Sequence, residues 1–258
     1  MDFALSRAVA SNFEYRESTG STNTDLVAAA AGLPDFSVLV AGFQTAGRGR
    51  SGRDWTAPSG SSLFVSVLLK PGPQFDRAGF SWLPLMAGLA MSNAVASFIN
   101  PIGVRLKWPN DVLVNETKIP GGLSELLPDL SGVVIGAGLN VTQQQAELPI
   151  ENATSMQLEG SKVLNLDEIL QAYLAELAGL YAQFVSAGGN AVESGLLEKV
   201  SSACSSIGRR VRAILPGDKE LLGEGVGIDQ TGRLIFMADG ADFAIPVAAA
   251  DIVHLRHN

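Results

Sequence analysis

SVLVAGFQTAGRGRSGRDWTAPSGSSLFVSVLL, Ser37 to Leu69, places two apolar runs on either side of a segment that cannot be core. SVLVAGF (Ser37 to Phe43) and SLFVSVLL (Ser62 to Leu69) read as buried strands, since each is a short β-branched or aromatic run bounded by turn residues. Between them, QTAGRGRSGRDW (Gln44 to Trp55) carries Arg48, Arg50 and Arg53 among glycines. Charged side chains keep it at the surface, and its glycines leave the backbone free to wrap something. A solvated turn is one reading. A loop that grips anions is the other, because guanidinium groups offer paired donors to phosphate and carboxylate oxygens. The segment is not GxxxxGK[ST], and it lacks the GxGxxG of a dinucleotide fold.

Outward from this centre, elements alternate without a regular βαβ rhythm. Upstream, Ser21, Thr22 and Asn23 precede an alanine-rich helix; they are good capping residues, and equally good at holding a polar headgroup. Downstream, Ser81 to Ile99 reads as a buried helix with Pro84 in its first turn. Gly103 to Trp108 and Asp111 to Asn115 read as strands around a Pro109-Asn110 turn. Gly132 to Val141 is a strand whose glycines imply close approach of another group. In Leu166 to Phe184, apolar residues recur every three or four positions, which makes it the clearest helix; Asn165 stands at its start. A further helix is expected near Val192 to Ser201. Beyond Ile207 come short β-like runs, punctuated by Pro216-Gly217-Asp218, Asp229 to Gly232 and Asp239-Gly240. The expected fold class is α/β of the α+β type: a mixed sheet flanked by helices over 1–203, then a small barrel-like β domain over 204–258.

Composition narrows the function. With 258 residues, 47% of them apolar, the chain can bury a real core. Its net charge of −8 argues against a dedicated nucleic-acid binder. The single cysteine, Cys204, can form neither an intrachain disulfide nor a zinc site alone. No signal peptide or membrane span is legible, so a cytoplasmic protein is expected. His254 and His257 fall in the last five residues and make poor catalytic bases. No Ser/His/Asp, Cys/His or metal cluster can be assembled, which leaves chemistry based on neutralising phosphate charge. Lys107 and Asp111 in LKWPNDVLVN suit phosphate and Mg²⁺, although a surface turn with an incidental charge pair fits too. Lys118, before IPGGLSE, is either an exposed lysine or a cation aimed at a phosphorus transition state. Asn140 is either an ordinary strand-end amide or a reader of an adenine edge.

Taken together, GSTN at 20–23, QTAGRGRSGRDW at 44–55, KWPNDVLV at 107–114, KIPGGLSE at 118–125 and IGAGLNV at 135–141 resemble the biotin protein ligase family, in the same order. The resemblance covers nearly the whole chain. It implies an SH3-like C-terminal domain and two steps: biotin and ATP give biotinyl-5′-AMP and pyrophosphate, then a lysine of a biotin carboxyl carrier domain, such as that of acetyl-CoA carboxylase, takes the biotin and releases AMP. By the same resemblance, Lys118, Arg50 and Lys107 are the expected catalytic residues. Ser21, Thr22, Asn23, Gln44, Arg48, Arg50 and Gly121 would contact biotin. Arg53, Trp55, Lys107, Asn110, Lys118 and Asn140 would contact ATP or the adenylate, and Asp111 would hold Mg²⁺. Gly121 stands where many members carry alanine, so a local backbone difference is expected. With GSTN starting at residue 20, the form expected is the ligase without an N-terminal DNA-binding domain, as a monomer or homodimer. A lipoate or octanoyl ligase of the same superfamily is one alternative, and a non-catalytic carrier-protein binding module is another.

Overall fold

The computed structural model describes residues 2–148, 150–215, 217, 219–248 and 250–255. His257, and Pro216 and Asp218 of the expected turn, lie outside them. In chain order the elements are α1 (Ala4–Arg7), β1 (Asn12–Arg16), α2 (Thr22–Ala29), β2 (Ser37–Ala41), β3 (Ser62–Leu69), α3 (Leu83–Ala96), β4 (Val104–Lys107), β5 (Asp111–Val114), β6 (Thr117–Lys118), β7 (Pro120–Leu126), β8 (Val133–Asn140), α4 (Leu166–Ser186), α5 (Leu196–Ala203), β9 (Arg209–Leu215), β10 (Lys219–Ile228), β11 (Leu234–Ala238), β12 (Ile245–Val247) and β13 (Asp251–His254).

Both runs flanking the arginine loop are central strands. The main sheet has the order β1-β2-β3-β8-β7, with β1 parallel to β2 and the other pairs antiparallel. Alternation along β3 sends Leu63, Val65, Val67 and Leu69 into the large core beneath α3 and α4, whereas Leu68 joins Leu26, Ala30, Leu39 and Val134 under α2. The same alternation puts Ser66, Gly136 and Gly138 on the α2 face.

α3 is apolar nearly all round, as a helix enclosed between a sheet and other helices must be. It is shorter than the expected Ser81 to Ile99, because a 3₁₀ turn, Arg77–Trp82, leads into it and carries Trp82. α4 keeps the expected stripe: Ile169, Leu170, Tyr173, Leu174, Leu177, Tyr181 and Phe184 are buried, and the Asn165 side chain accepts from the Asp167 and Glu168 N–H groups. α5 starts at Leu196 rather than Val192, after Gly195 at φ 71°.

The C-terminal strands form an antiparallel sheet, β12-β11-β10-β9-β13. The small barrel-like β domain expected from the sequence is thus present as five antiparallel strands, whose two outer members do not pair with each other among the described residues. It is docked through two tryptophans: Trp82 Nε1 donates to Gln230 O and Trp108 Nε1 to Gly232 O, each at 2.9 Å. Ser205 N–H donates to Leu106 O at the junction. Among the described residues, no helix is long and apolar enough to cross a membrane.

Candidate active site

The small sheet β4-β5-β6 concentrates charge by register alone. Lys107 is paired directly with Asp111, and Lys118 with Leu113, so all three charged groups project from one face. Lys118 Nζ lies 2.8 Å from Asp111 Oδ1. Burial pushes the Lys107 ammonium below the usual lysine value, while neighbouring Asp111 acts in the opposite direction. A half-buried cation with only partial compensation is an attractive partner for an incoming anion.

Beside this hairpin, β7 and β8 supply a floor without side chains. A Cβ on Gly121 or Gly138 would come within 2.6 Å of the Trp55 ring, and one on Gly136 would collide with Asn23. Glycine is therefore required here by close approach. The Trp55 ring packs against this floor, with Lys118 Nζ 5.7 Å from a ring centroid. Gly121 is part of the seat on which this ring rests.

The capping residues upstream do other work. The Ser21 side chain makes no cap bond. Gln44 Oε1 accepts from the Thr22 N–H at 2.8 Å and lies 3.1 Å from Thr22 Oγ1. Asn23 Nδ2 donates to Leu123 O, and Ser66 Oγ lies within 2.7 Å of both Thr22 Oγ1 and Asn23 Oδ1. This largely buried network holds its donors and acceptors at fixed positions.

The arginine loop crosses above. Arg48 reaches Thr24 and Glu125, Arg50 donates to Asn110 Oδ1 and to Ala250 O, and Arg53 reaches Asp251. One cavity of about 300 Å³ lies under the loop, the size of a small-molecule site. It brings together Ser21, Thr22, Asn23, Gln44, Arg48, Arg50, Arg53, Trp55, Lys107, Asp111, Lys118, Gly121 and Asn140. Its lining holds five cations against three carboxylates, the reverse of the whole chain, which fits an anionic ligand.

Two expected contacts stand differently. Asn110 does not line this cavity; it donates to Gly122 O and accepts from Arg50, holding the arginine from behind. Asn140 lines it, but its amide already donates to Thr154 O and accepts from Gln143 Nε2, so a ligand meets only what remains. Sequence reasoning missed Glu125, Gln143 and, above all, Asp251 and its neighbours on β13, whose approach depends on how the C-terminal sheet docks. No local signal marks them.

Among the described residues, no group of three or more His, Cys, Asp or Glu converges. Asp111 is one carboxylate engaged with Lys118. Mg²⁺ commonly binds with one or two carboxylates plus phosphates, so this set fits an ion carried by a nucleotide rather than a resident one.

With the geometry in place, the chain can be set against known proteins. The profile of the Biotin/lipoate A/B protein ligase family matches residues 15–140, and that of the biotin protein ligase C-terminal domain matches 206–254. The biotin–[acetyl-CoA-carboxylase] ligase of Mycobacterium tuberculosis is 39% identical over 242 residues, covering 92% of this chain and 87% of that protein. The ligase of the same description from Paracoccus denitrificans is 31% identical over 238 residues, covering 89% and 96%. The biotin protein ligase of Aquifex aeolicus, solved with biotin and ATP, superposes with a TM-score of 0.78 at 27% identity, covering 96% of this chain and all of that one.

Proposed function

This chain belongs to the biotin/lipoate A/B protein ligase family, and on that premise we propose how its residues divide the work of a biotin protein ligase. It forms biotinyl-5′-AMP from biotin and ATP with release of pyrophosphate, then transfers biotin to a lysine of a carrier protein with release of AMP. The observation that carries the assignment is one cavity holding a polar pocket, a lysine hairpin and an arginine loop side by side.

Each part suits one portion of the reactants. Thr22, Asn23 and Gln44 offer the donors and acceptors that biotin's ureido ring needs, with Ser21 at the rim. A lipoyl or octanoyl end has no polar atoms to satisfy them, which favours biotin over those acids. The acid's carboxylate then points toward Lys118 and Arg50. In the first step a carboxylate oxygen attacks the α-phosphorus and the bond to pyrophosphate breaks. Lys118 takes up the charge that develops at the α-phosphoryl oxygens, and Lys107 and Arg53 meet the leaving pyrophosphate. Mg²⁺ arriving on ATP would neutralise phosphate charge, with Asp111 the side chain placed to touch it. Trp55 and Asn140 form the adenine side, and the loop 44–55 keeps water from the acyl adenylate. In the second step the acceptor amine attacks the acyl carbon and AMP leaves; activation resides in the mixed anhydride, so no enzyme nucleophile is needed.

The acceptor is a biotin carboxyl carrier domain of a biotin-dependent carboxylase. Residues 204–258 form the second domain, a division supported by the Leu106–Ser205 junction and the separate C-terminal sheet. The test is mass spectrometry of a purified carrier domain after incubation with the protein, biotin and MgATP. One biotinyl-lysine per domain supports the assignment, and an unmodified domain alongside accumulated adenylate would remove the acceptor half of it.

A further inference from the structure

β13 brings one carboxylate to the arginine loop. Asp251 is fixed in the C-terminal sheet by its pairing with Ile214 of β9. Its Oδ2 lies 2.8 Å from Arg53 Nη2 and its Oδ1 3.7 Å from Arg50 Nη2, while the same Arg50 nitrogen donates to Ala250 O at 3.0 Å. Asp251, Ile252 and Val253 also line the cavity. The loop is thus tied at two places to different parts of the molecule: Arg48 to Glu125 on the main sheet, and Arg50 with Arg53 to the C-terminal sheet.

We propose that Asp251 is a positioning residue of the adenylating site that ties the arginine loop to the C-terminal sheet and competes with nucleotide phosphates for Arg50 and Arg53. The argument is one of shared chemistry. A guanidinium presents its donors as a planar fork, and a carboxylate and a phosphate fill that fork with the same kind of oxygen. Arg53 in full contact with pyrophosphate oxygens cannot keep its contact with Asp251. Binding phosphate therefore loosens the bond between loop and C-terminal sheet, and departure of pyrophosphate restores it. The inference rests on the assignment of Arg50 and Arg53 to the nucleotide.

The test uses Asp251→Asn, which keeps shape and removes charge, and Asp251→Glu as the conservative control. Without nucleotide, trypsin should cut after Arg50 and Arg53 several times faster in Asp251→Asn than in the parent. In pyrophosphate–ATP exchange, its KM for ATP should fall roughly threefold to tenfold, with kcat changed less. Asp251→Glu should restore both values toward the parent. An unchanged or higher KM, or unchanged cleavage, overturns the proposal. Should Asp251→Asn not fold, hydrogen exchange on the parent protein decides: inorganic pyrophosphate alone should reduce protection of the 251–254 amides, and unchanged protection at saturating pyrophosphate overturns the proposal. Absence of exchange with any acid would count against the ligase assignment, while the cleavage and hydrogen-exchange measurements would still report on the latch.

Discussion

The floor of the site and the loop above it are built by opposite means. The floor consists of β7, β8 and the β4-β5-β6 hairpin, so Lys107, Asp111, Lys118, Gly121, Gly136 and Gly138 are placed by backbone ladders and cannot shift without breaking them. The loop 44–55 is placed by side-chain charges: Arg48 on Glu125, Arg50 on Asn110 and Ala250, Arg53 on Asp251. Bonds of the second kind are partly exposed and exchangeable, and a ligand bringing its own anions can replace them. The floor therefore fixes where chemistry happens, and the loop governs when the cavity is closed.

The sharpest way to break this contrast is to remove a cation from the floor. Lys118→Ala should reduce kcat for adenylate formation by about 10²- to 10³-fold, measured by pyrophosphate–ATP exchange, because a charge placed at the reacting phosphorus is lost. An equal effect on KM alone would make Lys118 a binding residue and weaken the distinction. Next, Gly138→Val should lift Trp55 from its seat on the adenine side and weaken ATP binding roughly tenfold to a hundredfold by calorimetry, in line with the cost of overpacking a tight contact. Unchanged affinity would mean that the ring's seat does not matter to the pocket. On the loop side, Arg48→Ala should change thermal stability by less than about 1 kcal/mol, since its pair with Glu125 is half exposed. Tryptic cleavage within 44–55 should nonetheless quicken.

The smallest effect concerns the junction. His254 sits between Ser206 and Glu116, and burial, helped by Lys107, holds its pKa below the ordinary histidine value of 6.5, with Glu116 acting in the other direction. The neutral ring is favoured in the fold. Its contribution to stability is therefore full above pH 6.5 and is lost as the pH falls from there through the lowered folded value. His254→Gln should give a shallower fall in melting temperature between pH 7 and 5 than the parent. A parallel curve would remove His254 from that linkage.

The same contrast explains what the sequence could disclose. β2, β3, β8 and α4 were legible because burial writes itself into them: short, nearly unbroken apolar runs in the strands, apolar residues at every third or fourth position in the helix. The lysine hairpin was legible through Pro109-Asn110 and its flanking short strands. β1 was not, because NFEYR is an edge strand with charges along its half-exposed length. β7 was not, because PGGLSEL opens with proline and two glycines and becomes a strand only through its ladder with β8. In the site, the residue types of the loop and hairpin announced anion chemistry. Asp251 could not be read from 251–254, since its role depends on docking through Trp82 and Trp108 from far upstream. Ser21 to Asn23 looked like a cap by residue type, and only burial against Ser66 and Gln44 gives them their other partners.

Radiolabel exchange between pyrophosphate and ATP, run with biotin, lipoate, octanoate or no acid, tests the central claim most directly, since it reads the first step without any acceptor. The account predicts exchange with biotin alone. Exchange with lipoate or octanoate in its place would contradict the polar pocket as a biotin site, and no exchange with any acid from folded protein would contradict the adenylating site itself.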